Sequence, residues 1–215
     1  MSDHEQTAEP VRVKSSRQIL VPRRILMYHK RPGEISVRKK SSWHLTVFNN
    51  LPRLRQGRWD SINSLDLETT GLLLCTNDRV FAKNLSSFSV GIEREYWVQV
   101  AGEVSKETLQ VLRNGIELED GFARFDDILP LHTLNEGDQY NSCFNVVLKK
   151  ERNREAYRLW KAVGCQVIRL KCVRFDNLWL PEELTAGSFR SLTIDETNAL
   201  LDLLQHKRRD AKTGL

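Results

Sequence analysis

The sequence predicts an α+β fold with a mixed, mostly antiparallel central sheet flanked by helices. Two long runs, EREYWVQVAG at 93–102 and QYNSCFNVVLKK at 139–150, alternate and are rich in β-branched and aromatic residues, as half-buried strands require. Helical patterns fall between such strands without a regular βαβ rhythm, which disfavours a parallel doubly wound sheet. There is no internal repeat and no low-complexity tract.

Taken in order, residues 1–20 are polar and are expected to be disordered. RILMYH, 24–29, reads as a strand, followed by a basic turn at KRPGE and a loop rich in Lys and Ser. A short helix is expected over 46–51, and a buried strand at LLLCT, entered through Gly71. DRVFAKNLSSF has helical spacing, with Val80, Phe81, Leu85 and Phe88 as its apolar face. After the first long strand, Ser105 with Thr108 and Leu109 opens a helix that Gly115 closes. RNREAYRLWKAVG is an amphipathic helix ended by Gly164, CQVIRLKCVRF (165–175) is another strand, and Thr193 with Glu196 forms a capping box ahead of a last helix. The domain is expected to span 21–207, with a basic tail at 208–215.

At 215 residues and 40% apolar content the chain can bury a substantial core. No apolar run approaches the roughly 20 residues that cross a bilayer, and the first residues lack the apolar centre of a secretory signal, so a cytoplasmic location is expected. The four cysteines form no CxxC pair and read as reduced core residues, with no metal site. The net charge of +5 is unevenly spread: residues 11–58 hold thirteen Lys or Arg against the single acid Glu34, a local net of +12. Such a segment suits a polyanionic partner, because cations that neutralise phosphates release condensed counterions.

Within INSLDLETTGLLLCTND (62–78), Asp66 and Glu68 alternate with Leu65 and Leu67. The local pattern alone fits solvent-facing acids on a turn ahead of a buried strand. Motif order adds to this. YHKRPGE, LDLETTGLLLCTND, EREYWVQVAGEVS, NGIELEDG, KKERNREAYRLWKAVG and RLKCVRF, in this order and spacing, resemble the RsuA/RluB-type family of bacterial rRNA pseudouridine synthases, most nearly its large-subunit pseudouridine synthase B type. The likeness covers roughly residues 24–205. Family members of this type usually begin with an RNA-binding S4 domain, for which the chain before Ile25 is too short, so the basic segment is the expected substitute.

The resemblance implies the pseudouridine synthase fold, with the active site in a cleft across the sheet, and isomerisation of a uridine in large-subunit rRNA. That reaction breaks C1′–N1, turns the uracil, joins C1′ to C5 and removes the C5 proton. A carboxylate serves as nucleophile or stabiliser at the sugar carbon, and matching the motifs makes it Asp66. An aromatic ring holds the base and a phenol can relay the proton; the match is Tyr96. Such enzymes act on a flipped nucleotide, and Lys30, Arg152, Arg154 and Arg158 are the expected RNA contacts. No metal or organic cofactor is implied, and the expected partner is rRNA, met by a monomer away from any membrane.

Four departures stand out. The family's GRLD reads Asn63, Ser64, Leu65, Asp66 here; Tyr157 occupies the place of an arginine that faces the carboxylate; Trp43 to Thr46 replace a GRPT-like motif; and Arg79 replaces a glycine. An arginine beside a carboxylate favours its ionised form and fixes its orientation. Without both arginines Asp66 is expected to become protonated, to rotate or to find a different partner such as Arg158, and a catalytically silent rRNA-binding homologue is the alternative.

Overall fold

The computed structural model describes residues 22–36, 45–87, 90–136, 139–150, 152 and 154–213. The segment 1–20, residues 37–44 of the basic region with Trp43 and His44, and Phe88 lie outside them.

In chain order the strands are β1 (Ile25–Lys30), β2 (Asp60–Ser61), β3 (Thr70–Thr76), β4 (Val90–Ala101), β5 (Ile116–Leu118), β6 (Gly121–Ala123), β7 (Asp127–Glu136), β8 (Gln139–Lys150), β9 (Val167–Phe175), β10 (Leu178–Trp179) and β11 (Phe189–Ser191). The helices are α1 (Arg79–Ser87), α2 (Lys106–Asn114), α3 (Glu155–Ala162) and α4 (Ile194–Thr213), and Val47–Asn49 forms one 3-10 turn. The main sheet runs β11-β1-β3-β9-β4-β8-β7, with β2 and β10 pairing at its flanks, while β5 and β6 form a separate hairpin. Every pairing is antiparallel except β3 with β9. The mixed, mostly antiparallel sheet is thus observed.

The helix ends follow the sequence signals. Ser105 Oγ accepts from the Thr108 amide at 3.1 Å, and Gly115 closes α2 at φ 102°. The Thr193–Glu196 capping box opens α4 with reciprocal bonds of 2.8 and 3.2 Å. Asp78 caps α1 through the Phe81 amide at 3.0 Å. That helix turns Phe81, Ala82 and Leu85 inward, whereas Val80 is 69% exposed. Val80 was expected on the apolar face; one residue before Phe81, it is rotated by about 100° out of the buried stripe.

Strands β5, β6 and β7 were not read from the sequence. The first two are only three residues long, and β7 carries Pro130, which a sheet accepts at its edge, where β7 sits. The core gathers Trp160 of α3 against Phe125 and Phe144, with ring centroids 5.8 and 5.1 Å apart. Cys75, Cys143 and Cys172 are buried and outside any disulfide, and Cys165 is partly buried.

Candidate active site

The site is built where the sheet parts. β3 and β9 pair at only two positions, Thr70 with Lys171 and Gly71 with Cys172. Before Thr70 the chain leaves the sheet, and the N-terminal half of β9 is left with an open edge. Gly71 makes the approach possible: its φ is +100°, and a side chain there would overlap the Cys172 backbone. A cavity of about 590 Å³ lies along this open edge, lined among others by Asp66, Thr70, Trp97, Arg154, Tyr157 and Lys171.

Asp66 sits in the loop that enters β3. Its Oδ1 accepts from the amides of Glu68 (3.1 Å) and Thr69 (2.7 Å), an Asx turn that fixes the carboxylate plane. Its Oδ2 lies 3.1 Å from Arg154 Nε. Arg154 precedes α3 with left-handed backbone, φ 53°, and its guanidinium stacks over the Tyr157 ring at 4.7 Å from the centroid. Tyr157 therefore supports Arg154 beside the Asp66 carboxylate.

Lys30 holds the loop from beneath. Fully buried, its Nζ donates to the carbonyls of Arg31 (3.0 Å), Leu67 (3.1 Å) and Thr69 (2.8 Å). Burial pushes the ammonium down to about 8, against the opposing pull of Asp66 and Glu34. Lys30 was expected to contact phosphate; with three N–H groups committed to carbonyls and no exposed surface, it positions Asp66 instead. Asn63 is also structural: its Nδ2 donates to the Leu72 carbonyl at 3.0 Å and its Oδ1 accepts from the Leu74 amide at 2.8 Å. Ser64 is exposed.

Arg158 does not reach Asp66. It forks onto the Asp120 carboxylate at 2.6 and 2.9 Å, and this pairing holds the Asp120 carboxyl below its ordinary value. Arg152 donates to the carbonyls of Asp120, Gly121 and Phe122 and to Glu155, so both arginines pin the β5–β6 hairpin to α3. Both were expected on RNA; their guanidiniums are occupied within the protein. Arg154, 42% exposed at the rim, is the one of the four expected contacts that opens into the cavity.

Tyr96 lies deeper. Lys30 pairs with Gly71, Gly71 with Cys172, Cys172 with Tyr96, and Tyr96 with Val146, so these residues form one row across five strands. Side chains in a row share a face. Tyr96 therefore projects to the same side as Lys30, two strands from Gly71, but at 1% exposure it is covered and does not line the cavity. Its neighbour Trp97 does. Sequence reasoning passed over Trp97; the signal available was its place in an alternating strand beside a candidate site residue.

The family model for RNA pseudouridylate synthase matches residues 24–187. The chain belongs to this family. Ribosomal large subunit pseudouridine synthase B of Vibrio vulnificus is 40% identical over 195 residues, covering 91% of this chain and 59% of the relative. The proteins of the same name from Pseudomonas aeruginosa and Escherichia coli K12 are 43% and 42% identical, covering 83% and 85% of this chain. The chain spans 45% and 61% of those two relatives, roughly half the length of the curated proteins it matches. A crystal structure described as a pseudouridylate synthase superposes with a TM-score of 0.68 at 24% identity, over 83% of this chain and 74% of that one, which establishes the fold.

Proposed function

We propose that the chain isomerises a uridine of large-subunit ribosomal RNA to pseudouridine, with Asp66 as nucleophile. The observation that carries this reading is the carboxylate itself. One oxygen is immobilised by two backbone amides, the other lies beside Arg154, and the group borders a cavity. Preorganised charge of this kind costs no reorganisation at the moment of reaction.

In the proposed reaction Asp66 attacks C1′ as the bond to N1 breaks, and the electron pair passes to the uracil. The base turns within the cleft, C5 forms the new bond to C1′ as the carboxylate leaves, and the C5 proton is lost while N1 gains one. Atoms balance without a co-reactant. Arg154, 3.1 Å from the free carboxylate oxygen, orients it, a task the family pattern gives to other arginines. Tyr96, buried on the face shared with Lys30, would contact the base only once nucleotide entry uncovers its ring.

Purified protein incubated with bacterial rRNA, followed by carbodiimide mapping of pseudouridine, tests this. A new stop in large-subunit rRNA that vanishes in Asp66→Asn is the expected result. Binding without any stop would favour a silent homologue.

A further inference from the structure

The cavity takes its lining from both sides of β9. Leu170 pairs with Val98, on the face of Tyr96, whereas Lys171 pairs with Trp97, on the opposite face. The cavity therefore wraps the open edge of that strand, from Asp66 and Arg154 to Trp97 and Lys171.

A tryptophan and a cation are neighbours at two places on the Trp97 face, and the two differ. Arg174 lies over Trp179 at 5.3 Å and is closed by ion pairs to Glu95 (2.8 Å) and Glu93 (3.2 Å). Trp97 and Lys171 are adjacent in register, partly exposed and inside the cavity. Among the described residues, neither the indole N–H nor the Lys171 ammonium has a hydrogen-bond or ion-pair partner. An open aromatic face beside a cation on a rigid sheet is the combination by which single-stranded nucleic acid is held: the ring stacks a base and the cation meets the phosphate.

We propose that Trp97 and Lys171 form a second nucleotide subsite, which stacks the base adjoining the reactive uridine and contacts the phosphate between the two. Neighbouring nucleotides of a splayed strand straddle the β9 edge, one on each side. This rests on the reading of the Asp66 cleft as the site of uridine isomerisation, and it adds a recognition element that Asp66 and Arg154 do not provide.

The test compares binding of the dinucleotide UpU with that of uridine 3′- and 5′-monophosphate, followed by NMR titration of the intact protein. Stacking of one base is worth roughly 1–3 kcal/mol, so the wild type should prefer UpU by about 5-fold to about 100-fold. Trp97→Ala should abolish that preference by weakening UpU more than the monophosphates, and Trp97→Phe should keep most of it. Lys171→Gln should weaken UpU and flatten its salt dependence, and it carries the test should Trp97→Ala unfold. Equal binding of UpU and monophosphate by the wild type, or a preference that survives Trp97→Ala, would overturn the proposal. So would tighter binding of a glutamate-rich peptide than of UpU, which would assign the patch to an acidic protein. The rRNA mapping is read separately: isomerisation without the UpU preference removes the subsite alone, and the preference without isomerisation removes the catalytic reading alone.

Discussion

Arg154 Nε stands 3.1 Å from Asp66 Oδ2, with its guanidinium resting on Tyr157. Tyr157 thus serves as a platform for Arg154, and a cation stands beside the carboxylate. Replacement of Arg154 by Gln should lower kcat by on the order of 100-fold, the usual cost of one preorganised electrostatic contact, with an unchanged unfolding midpoint because the side chain is at the rim. Single-turnover isomerisation of rRNA measures it. Tyr157→Ala should reproduce part of that loss.

Lys30 gives the site a pH dependence with a definite sign. Its ammonium is pushed down to about 8 in the folded protein, while the unfolded value is the ordinary lysine value of 10.5. Between these values the unfolded chain binds more protons, so this group's contribution to stability rises with pH across that window. Activity should run the other way. The neutral amine has two N–H groups for three carbonyls, so turnover should fall above about pH 8 as the Asp66 loop loses one anchor. A rate profile flat to pH 9.5 would refute this.

Lys30→Met should destabilise the fold by about 2–4 kcal/mol, because it leaves the buried Thr69 carbonyl, and the partly buried carbonyls of Arg31 and Leu67, without their donor. Denaturant titration gives the value.

The central strands were legible because alternation is a property of single residues: 139–150 is a strand to the residue, and the caps at Ser105 and Thr193 fall where their side chains demand. The proposed role of Asp66 rests on motif order, since its local pattern alone fits a solvent-facing acid. What could not be read was partner choice. Lys30, Arg152 and Arg158 have the same composition whether they face phosphate or backbone carbonyls, and only the chain path around β3 and the β5–β6 hairpin decides. The contact between Arg154 and Asp66 spans 88 residues and depends on a left-handed backbone at Arg154 that no propensity favours.

Gly71 marks the close approach on which the cleft depends. Gly71→Ala forces a side chain into the Cys172 backbone at φ +100°, a conformation that already disfavours any residue but glycine. The substitution should break the two-residue parallel pairing and cost at least about 3 kcal/mol, so the variant should unfold at far lower denaturant. A midpoint near that of the wild type would show that the β3–β9 approach is loose.

Arg152 and Arg158 distinguish a structural cation from an RNA contact. A phosphate contact on a single strand adds about 0.7 to the slope of log affinity against log salt, so its removal lowers the slope by that amount. Both arginines are committed to Asp120 and the hairpin carbonyls. Arg158→Ala should therefore leave the slope for rRNA fragments unchanged and instead raise amide exchange across 116–123, where β5 and β6 lose their tie to α3. Arg154→Gln should show the converse, a reduced slope with the hairpin still protected. If Arg158→Ala lowered the slope and left exchange unaltered, the guanidinium would be free for phosphate despite its fork with Asp120, and the division of labour between the arginines would have to be reversed.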